Sequence, residues 1–519
     1  MKTILTLVCA LIAFSVTAQF KTLASGPVFD EPEKGFCKIL LLKNKSTAFF
    51  NITLKDGIGI KIYDADHKQK VDKILQPAYG ELKGAYINAI FEIKGDVVLL
   101  ISSADGKTPV LYRVIVDMQT ANIKEEKKIG ELMNMTMGKG YAVIFGNVPL
   151  PEFYVRKDPA SNNYGVVLFN SFESDRNKRI EAVFYGEDHK EISRAFYVSP
   201  EDEFKYLEYI DMAVIGNQKL SILAYAYNTG KDKGSELLLA NLDAGEKKMK
   251  IQKLKFAEDR TVKWGITRYN PLSKKLMVLA AAQVGKKSIY ESFLCTIDPF
   301  TQKLEKLVDA APQGLSEPYS GMPQNLFINK DGSFTIVFED MTVISTSHGT
   351  SNRFSSNETW LGSVVVSLFD PAEKPVKSYL VKKMQTIGGN VPPFYLSERE
   401  GSAQAMNYGN QFKSFAYLNG GSKNYVLIND IERNRESTRG KKLVTIRGIE
   451  ECDAYFFNIS GGNSDPERTY LFGEPTGKKT HNLGLFAISD YNGDDNIYTT
   501  LKLEKEGRQK GVRLIWLQP

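Results

Sequence analysis

The sequence predicts an all-β chain built from repeated units of short strands. An alternating apolar run ends in Asp, turns through polar residues and continues as a second run, and this pattern recurs along the 519 residues. A β-branched or aromatic run precedes each copy, which is typical of strands. No stretch of about twelve residues combines helical periodicity with capping residues, so long helices are not expected.

The clearest copy of the hairpin pattern spans residues 291–308. Its apolar run reaches Asp298-Pro299, turns, and resumes at Leu304. Asp suits the first position of a type I turn because its carboxylate can accept a nearby backbone N–H, and Pro has its φ already set for the second. We therefore predict that these aspartates stabilise turns and are not catalytic acids. The copies turn at Asp64, Asp117, Gly186, Asp243, Asp298 and Asp370.

The spacing of the preceding runs predicts the number of units. The runs recur at intervals of roughly 50–70 residues with one longer gap before Tyr425, and units of four strands at this period are typical of a β-propeller. We predict about eight four-stranded blades, with seven blades as the alternative and tandem β-sandwich domains as the second choice. Ring closure should bring residues 36–42 beside residues 512–517. The runs begin at Ala48, Val97, Val166, Leu220, Leu276, Phe334, Tyr425 and Leu483.

Two hairpins carry a more specific likeness. Asp243-Ala-Gly-Glu-Lys and Ile297-Asp298-Pro299-Phe-Thr301-Gln-Lys resemble the turns of quinoprotein-like and related exported propellers, whose blades carry aliphatic-Asp-x-x-Thr-Gly-Lys sequences. The resemblance implies the β-propeller superfamily and no specific family. Quinoprotein blades also carry a recurrent Trp, whereas this chain has 3 Trp residues in total. We therefore expect no quinone and no other cofactor.

The N-terminus has the pattern of a secretory signal peptide. Lys2 precedes an apolar stretch, and Val16-Thr17-Ala18 places small residues where signal peptidase requires them. The apolar stretch is shorter than the roughly 18–20 residues that a membrane-spanning helix needs. We predict a signal peptide at residues 1–18 and a single β-propeller domain at residues 19–519, without a transmembrane segment. The mature chain should be periplasmic, on the outer surface or secreted.

Composition and charge exclude several classes of partner. Charged residues make up 25% of the chain and hydrophobic residues 42%, which is ordinary for a globular protein. The formal net charge is +6, from 67 basic and 61 acidic residues. Spread over a surface of this size, that excess argues against a nucleic-acid or membrane partner.

The cysteines do not form a disulfide scaffold. Removal of the signal peptide leaves Cys37, Cys295 and Cys452, and an odd number means at least one free thiol. Buried free thiols are the simplest interpretation. A bridge between Cys37 and Cys452 stays open, because it would join the two ends of the mature chain if those ends meet.

No catalytic or metal-binding motif is apparent in the sequence. The four histidines, at positions 67, 189, 348 and 481, occur singly, and none has a partner at metal-ligand spacing. No Gly-x-Ser-x-Gly elbow of a serine hydrolase occurs. The sequence therefore predicts no metal site and leaves open whether the protein is an enzyme.

Binding residues are expected where the repeat is interrupted, because long loops on a rigid scaffold collect them. Residues 345–360, rich in Ser, Asn and Thr, predict a loop whose Trp360 either stacks on a sugar or peptide or packs at the start of the next strand. Residues 431–442 are basic and could meet an anionic ligand, or form a hydrated loop. Segments at 146–158 and 311–324 supply further candidates. The candidate ligand-binding residues are Tyr154, Arg156, Tyr319, His348, Arg353, Trp360, Arg433, Arg435 and Arg439.

Two classes of function remain open. The first is a binding or scaffold propeller outside the cytoplasm, whose ring-face loops recognise a protein or a glycan. The alternative is a carbohydrate-active hydrolase or lyase, which requires two or three carboxylates from different blades at the central channel. The arrangement of Asp and Glu around the channel should separate these two classes.

Overall fold

A computed structural model describes residues 20–78, 84–134, 149–198, 203–228, 234–254, 260–284, 290–348, 354–389, 401–406, 409–413, 415–420, 423–437, 443–460, 464–477 and 479–519. These residues form strands β1 to β34, a short helix α1 (Arg433–Ser437) and two 3₁₀ turns (Arg176–Lys178 and Asn410–Phe412). The strands pair into eight antiparallel sheets. The predicted all-β class with eight blades is therefore confirmed, and the count of seven is wrong.

The first four blades follow one another in sequence, and each is written here from its innermost to its outermost strand. Blade 1 is β2 (Phe36–Leu41), β3 (Thr47–Thr53), β4 (Gly57–Tyr63) and β5 (Gln69–Leu75). Blade 2 is β6 (Tyr86–Ile93), β7 (Asp96–Asp105), β8 (Thr108–Asp117) and β9 (Asn122–Glu131). Blade 3 is β10 (Glu152–Lys157), β11 (Tyr164–Phe169), β12 (Ile180–Tyr185) and β13 (Glu191–Phe196). Blade 4 is β14 (Tyr206–Ile215), β15 (Lys219–Tyr227), β16 (Ser235–Asp243) and β17 (Lys250–Leu254).

The last four blades include two short added strands. Blade 5 is β18 (Arg260–Asn270), β19 (Lys275–Val284), β20 (Tyr290–Ile297) and β21 (Leu304–Asp309). Blade 6 is β22 (Met322–Ile328), β23 (Phe334–His348), β24 (Phe354–Phe369) and β25 (Pro375–Val381), with β26 (Gln385–Gly388) beside β24. Blade 7 is β28 (Ala416–Gly420), β29 (Lys423–Ile431), β30 (Cys452–Asn458) and β31 (Arg468–Tyr470). Blade 8 is β32 (Thr480–Asn492), β33 (Ile497–Glu506), β34 (Gln509–Gln518) and β1 (Lys21–Ser25), and β27 (Gln404–Ala405) adds to β2 of blade 1.

The hydrophobic core is divided among the interfaces between blades. Each of eight clusters of buried residues joins two neighbouring blades. The cluster between blades 8 and 1, for example, packs Ile39 and Phe49 with Leu514 and Trp516. Both faces of the second and third strands of each blade are therefore largely buried, which explains why many of these strands read as apolar runs. The chain is a closed β-propeller.

Ring closure uses a strand that the sequence did not predict. Residues 36–41 do pack against blade 8, but the strand that pairs with β34 is β1, with Lys21 opposite Gln518 and Ser25 opposite Ile515. β1 is mostly exposed and has no apolar alternation, so nothing in its sequence identifies it as a strand. Phe20, which precedes it, is 5% exposed and packs against Tyr425. The start of the described chain thus completes the last blade.

The geometry of two repeated hairpins confirms the interpretation of their aspartates as turn residues. Asp298 Oδ1 accepts hydrogen bonds from the backbone N–H groups of Phe300 (2.8 Å) and Thr301 (3.1 Å). Asp117 accepts from Gln119 and Thr120 in the same way, at 2.9 Å each. These backbone hydrogen bonds lower the pKa of both carboxyl groups. The turns join the third and fourth strands of their blades, so the aspartates are structural.

We expect Asp298→Ala to lower the free energy of unfolding by about 1 kcal/mol at pH 7, because two turn hydrogen bonds are lost at a partly exposed site. A carboxyl whose pKa is lowered on folding stabilises the fold above its ordinary pKa, and that contribution disappears as the pH falls through the folded value. The difference between Asp298→Ala and the parent should therefore shrink below about pH 4. Urea unfolding at several pH values measures this. A difference that stays constant down to pH 2.5 would contradict the assignment of the effect to the charged carboxylate.

The described cysteines are free and buried. Cys37 of blade 1 and Cys452 of blade 7 belong to the same core cluster, which is centred between blades 8 and 1, but they do not form a bridge. Burial raises the pKa of both thiols. The interpretation of these residues as buried free thiols is therefore confirmed.

Strand alternation gives the ring two different faces. Connections from the first to the second and from the third to the fourth strand of a blade lie on one face, and most are short turns such as residues 216–218 and 329–333. We call this the short-turn face. Connections between the second and third strands and between blades lie on the opposite face, and they include the long segments 310–321, 382–415 and 432–451. We call this the insertion face. Within the described ranges, no helix is long and apolar enough to cross a membrane.

Candidate functional site

The innermost strand of each blade lines the central channel. Several of these strands contain a β-bulge, for example between Ile87 and Ala89 in β6, and between Pro323 and Asn325 in β22. A bulge places an extra residue on one strand and redirects its side chain. In these bulged strands, the side chains that face the channel therefore cannot be assigned by assuming that every second residue points inward.

A segment of the connection between blades 6 and 7 crosses this channel. β27 pairs with β2, and Ile90 of blade 2 donates its N–H to the Gly401 carbonyl oxygen at 2.8 Å. Gly401 has φ +80°, and a Cβ at this position would lie 3.0 Å from the Ile90 carbonyl oxygen, so a larger residue would be strained. Because β27 pairs with the first residues of β2, the crossing lies toward the insertion face. We call residues 401–406 the crossing segment.

A cavity of about 520 Å³ occupies the channel on the other side, between blades 3 and 6. Its wall includes the ends of β10, β14, β18 and β22. Exposed turn residues, among them Pro159, Ala160 and Pro271, also line it. The cavity therefore opens on the short-turn face, and we call it the channel cavity.

Basic side chains outnumber acidic ones in the wall of the channel cavity. Four basic residues line it, and among the described lining residues the one carboxylate is Asp158. The carboxylate of Asp158 accepts hydrogen bonds from Ala160 N (3.0 Å), Ser161 Oγ (2.6 Å) and Gly216 N (3.0 Å), so it is engaged in holding the turn. Aromatic rings of Tyr269 and Phe327 complete the wall. The basic residues are Arg156, Lys157, Arg268 and Lys330.

A buried carboxylate of blade 4 links the two arginines. Asp211 Oδ1 accepts a hydrogen bond from Arg156 Nη2 at 2.5 Å, and Asp211 Oδ2 accepts one from Thr267 N at 2.7 Å. Arg268 Nη1 lies 3.6 Å from the same Oδ2. The side chains of Arg156, Asp211 and Arg268 are 5%, 6% and 11% exposed. We call these three residues the arginine–aspartate triad, which joins blades 3, 4 and 5 at the channel.

Arg268 extends into a second chamber of the channel. This chamber, of about 260 Å³, is lined by Lys38, Arg268, Gln324 and the crossing segment. Arg268 Nη2 donates to Asn325 Oδ1 at 3.4 Å. The guanidinium therefore stands between the two chambers, where it can contact a ligand that enters from the short-turn face.

Tyrosines lie above the triad, toward the insertion face. The rings of Tyr154 and Tyr209 stack with centroids 3.8 Å apart, and those of Tyr206 and Tyr227 stack at 5.2 Å. Tyr227 OH donates to Glu208 Oε1 at 3.3 Å. The sequence suggested that Tyr154 and Arg156 are loop residues, but both lie in strand β10. Among the candidates within the described residues, Arg156 alone lines the channel cavity, and Tyr154 lies two residues earlier on the same strand.

In and beside blade 6, Trp360 and Tyr319 make contacts within the fold. Residues 345–360 do not form a loop, because β23 and β24 extend into this segment as a long hairpin whose tip, with Arg353, lies outside the described residues. Trp360 is therefore inside a strand, and its Nε1 donates to Glu358 Oε2 at 2.9 Å. Tyr319 is half-buried, with its hydroxyl donating to the Ser363 carbonyl oxygen at 2.9 Å. His348 is the last residue of β23.

Two basic candidates of blade 7, Arg433 and Arg435, lie on the insertion face, far along the chain from the triad. Arg433 and Arg435 are exposed on helix α1, and Arg435 forms an ion pair with Glu432 at 3.4 Å. Arg439 lies outside the described residues. The structure does not bring Arg433 and Arg435 into the channel cavity.

Sequence reasoning missed Asp211, Arg268 and Tyr269 because each lies inside a strand. Asp211 interrupts the run Tyr209-Ile-Asp-Met-Ala-Val-Ile215, and a charged residue within an otherwise apolar run was the available signal. No local pattern relates it to Arg156, which lies 55 positions earlier. Within the described ranges, no group of three or more His, Cys, Asp or Glu side chains could hold a metal ion.

The sequence matches no known protein-family model and no curated protein sequence. Solved structures with similar folds include the Dos1 propeller, with 12% identity over 95% of this chain and 94% of that chain and a TM-score of 0.46. The polysaccharide lyase Uly1 is 10% identical over 86% and 92% of the two chains, with a TM-score of 0.37. The propeller domain of the trilobed protease from Pyrococcus furiosus is 12% identical over 83% and 93%, with a TM-score of 0.32. Likenesses at this level carry no argument about the ligand or activity of this chain.

Proposed function

We propose that the protein is an exported binding propeller whose channel cavity holds an anionic oligosaccharide. The observation that carries the proposal is the wall of the channel cavity, which is lined by four basic side chains and one engaged carboxylate. Asp211 pairs with Arg156 and Arg268, and Asp494 pairs with Lys330, so these carboxylates offset part of the positive charge. Export is proposed from the N-terminal sequence pattern alone. The proposal keeps the binding class predicted from the sequence but moves the site from the insertion loops to the channel.

The dimensions and chemistry of the cavity suit this ligand class. A volume of about 520 Å³ falls within the range of small-molecule sites. Guanidinium groups such as that of Arg268 bind two oxygens of a carboxylate or a sulfate through paired N–H donors. The rings of Tyr269 and Phe327 offer apolar surface against which a sugar ring can lie. An oligosaccharide that carries carboxylate or sulfate groups uses all three features.

The enzymatic alternative has less support from the geometry. A glycoside hydrolase requires two carboxylates that flank the scissile bond, and Asp158 is the one carboxylate among the described lining residues. A lyase requires a base, and burial raises the pKa of the Tyr269 hydroxyl, so less of it is ionised at neutral pH. These points favour binding over turnover.

Isothermal titration of the mature chain with acidic oligosaccharides and their neutral counterparts tests the proposal. We expect the acidic ligands to bind at least about 10-fold more tightly, with an affinity that falls as salt is added. Equal affinity for neutral sugars, or release of products from the bound glycan, would overturn the proposed binding role.

Arg268→Gln should weaken binding of an acidic oligosaccharide by at least about 10-fold, because a charge-assisted hydrogen bond is worth about 1.5–3 kcal/mol. Lys247→Gln is the matched control, since Lys247 is exposed on the short-turn face in a turn outside the cavity. Arg433→Gln tests the insertion-face site suggested by the sequence. If Arg433→Gln reduces affinity and Arg268→Gln does not, the ligand binds at the insertion face and the channel assignment is wrong.

A further inference from the structure

The second chamber of the channel adjoins the channel cavity. Arg268, Leu326 and Phe327 line both spaces, so the two meet at these side chains. The volume of the second chamber, about 260 Å³, lies just below the range of about 300–1,000 Å³ that holds a drug-sized ligand. The second chamber therefore has room for about one sugar residue beyond those in the channel cavity.

The crossing segment bounds the second chamber toward the insertion face. Its residues Gly401, Ser402 and Gln404 line the chamber. Gly401 is hydrogen-bonded to blade 2, and Gln404 lies opposite Cys37 in blade 1, so the segment is attached to the ring at both positions. Ser402 and Ala403 are 8% and 5% exposed, so other parts of the protein cover them. Within the described ranges, the second chamber is therefore reached from the channel cavity.

The charged side chains in the wall of the second chamber are basic. Lys38 of blade 1 and Arg268 of blade 5 line it, and none of its described lining residues is Asp or Glu. Blades 1 and 5 lie opposite each other in a ring of eight. The two cations therefore contact the second chamber from opposite sides of the channel.

Each of these cations has a buried carboxylate near it that does not line the chamber. Asp211 Oδ2 lies 3.6 Å from Arg268 Nη1. Asp490 accepts hydrogen bonds from two backbone N–H groups, at 2.7 and 2.9 Å. Burial raises the pKa of the Asp490 carboxyl, and the charge of Lys38 opposes that rise. These carboxylates offset part of the positive charge, but an anion inside the second chamber contacts the cations and not the carboxylates.

We propose that the second chamber binds the terminal residue of the oligosaccharide, with its carboxylate or sulfate group between Lys38 and Arg268. The inference rests on the proposed function and adds that the protein recognises the end of a chain. An oligosaccharide that ran through the channel would have to displace the crossing segment, whereas one that ends in the second chamber would not. Arg268 and Lys38 can donate to different oxygens of one anionic group, which a neutral terminal residue lacks.

Isothermal titration of the mature chain with oligogalacturonates of increasing length tests end recognition. We expect one bound protein per oligosaccharide even on long polymers, because each has one matching end. The affinity should stop rising once the ligand fills both chambers. Several proteins bound along one long polymer would show binding to internal residues and overturn the inference, while the proposed binding role would stand. Carrageenan oligosaccharides, which carry sulfate and no carboxylate, distinguish the two anionic groups.

Lys38→Gln should weaken binding of an oligogalacturonate by at least about 10-fold, because it removes one of the two cations that contact the terminal carboxylate. Lys70→Gln is the matched control, since it removes the same charge from the outermost strand of the same blade, where the Lys70 side chain is 57% exposed. Ala487→Leu tests the space instead of the charge. Ala487 lines the second chamber, and a larger side chain there should exclude the terminal residue.

Thermal unfolding of each variant checks that the fold is retained. If Lys38→Gln and Ala487→Leu bind as the parent does while Arg268→Gln does not bind, the ligand occupies the channel cavity alone. The inference is then wrong and the proposed function stands. If neither oligogalacturonates nor carrageenan oligosaccharides bind to the parent chain, both are wrong.

Discussion

Asp211→Asn should lower the free energy of unfolding by about 3–5 kcal/mol. The substitution leaves the shape of the side chain nearly unchanged but removes the negative charge that Arg156 and Arg268 share. Both arginines remain charged at any accessible pH, so neither can avoid the loss by releasing a proton. Removal of one partner from a buried ion pair leaves an uncompensated charge in a weakly polar site, which is the costly case.

Urea unfolding of the mature chain measures this change. Asp494→Asn is the matched control, because Asp494 is 77% exposed in an ion pair with the exposed Lys330, and we expect a change below about 1 kcal/mol there. Addition of Arg156→Met to Asp211→Asn should recover part of the loss, since it removes one of the uncompensated charges. An Asp211→Asn chain as stable as the parent would mean that water, and not Asp211, compensates the two arginines.

The same substitution has a consequence for the proposed binding site. Asp211 also accepts the Thr267 N–H, and this bond fixes the backbone next to Arg268. We therefore regard Asp211 as a positioning residue that holds both guanidinium groups at the channel. Its buried carboxylate neutralises part of their charge, which keeps the site stable when no anion is bound.

The fold was predictable because the signals that define it are local. An Asp before a turn acts within three residues, as the contacts of Asp298 with Phe300 and Thr301 illustrate. In blades 1 to 7 each predicted apolar run is the second strand of its blade, so the spacing of the runs gives the number of these blades. In blade 8 the predicted run at Leu483 belongs to β32, the innermost strand, and not to a second strand.

The errors arise where composition and conformation disagree. Residues 345–360 were predicted as a loop from their polar composition, whereas their described residues continue strands β23 and β24. β1 is short and exposed, and its position is set by the open edge of β34. In both cases backbone pairing, and not side-chain burial, determines the structure.

The candidate site was not predictable because it is assembled across blades. Arg156, Asp211 and Arg268 come from three innermost strands, and their proximity follows only from the closed ring. Long loops were a reasonable place to search. Here, however, the clearest cavity lies among strands and short turns on the opposite face.

Lys383→Met should lower the free energy of unfolding by about 3–5 kcal/mol at pH 8 and by less at pH 5. Lys383 and Glu339 form an ion pair at 2.5 Å, and their side chains are 0% and 1% exposed. Burial raises the pKa of the Glu339 carboxyl, and the charge of Lys383 opposes that rise. Without Lys383 the carboxyl should titrate at still higher pH.

The sign of the pH dependence follows from this raised value. A carboxyl whose pKa is higher in the folded than in the unfolded state favours folding at low pH, and it loses that contribution as the pH rises through the folded value. In Lys383→Met the stability should therefore fall as the pH rises above about 4.5, until Glu339 is fully ionised. Guanidinium unfolding at pH 5 and pH 8 measures the difference. An equal loss at both values would show that Glu339 does not respond to the missing charge.

Two further variants separate charge from packing. Lys382→Met is the neighbouring control, because Lys382 is 31% exposed and pairs with Glu317 at 3.5 Å, so its loss should cost about 1 kcal/mol or less. Glu339→Gln/Lys383→Met removes both charges and should recover most of the stability at pH 8. Lys383 lies between β25 and β26 of blade 6, the last strands before the crossing segment. Breaking the ion pair should therefore also speed hydrogen exchange at Ile90, whose N–H bonds to the Gly401 carbonyl oxygen, more than at the turn of Asp298.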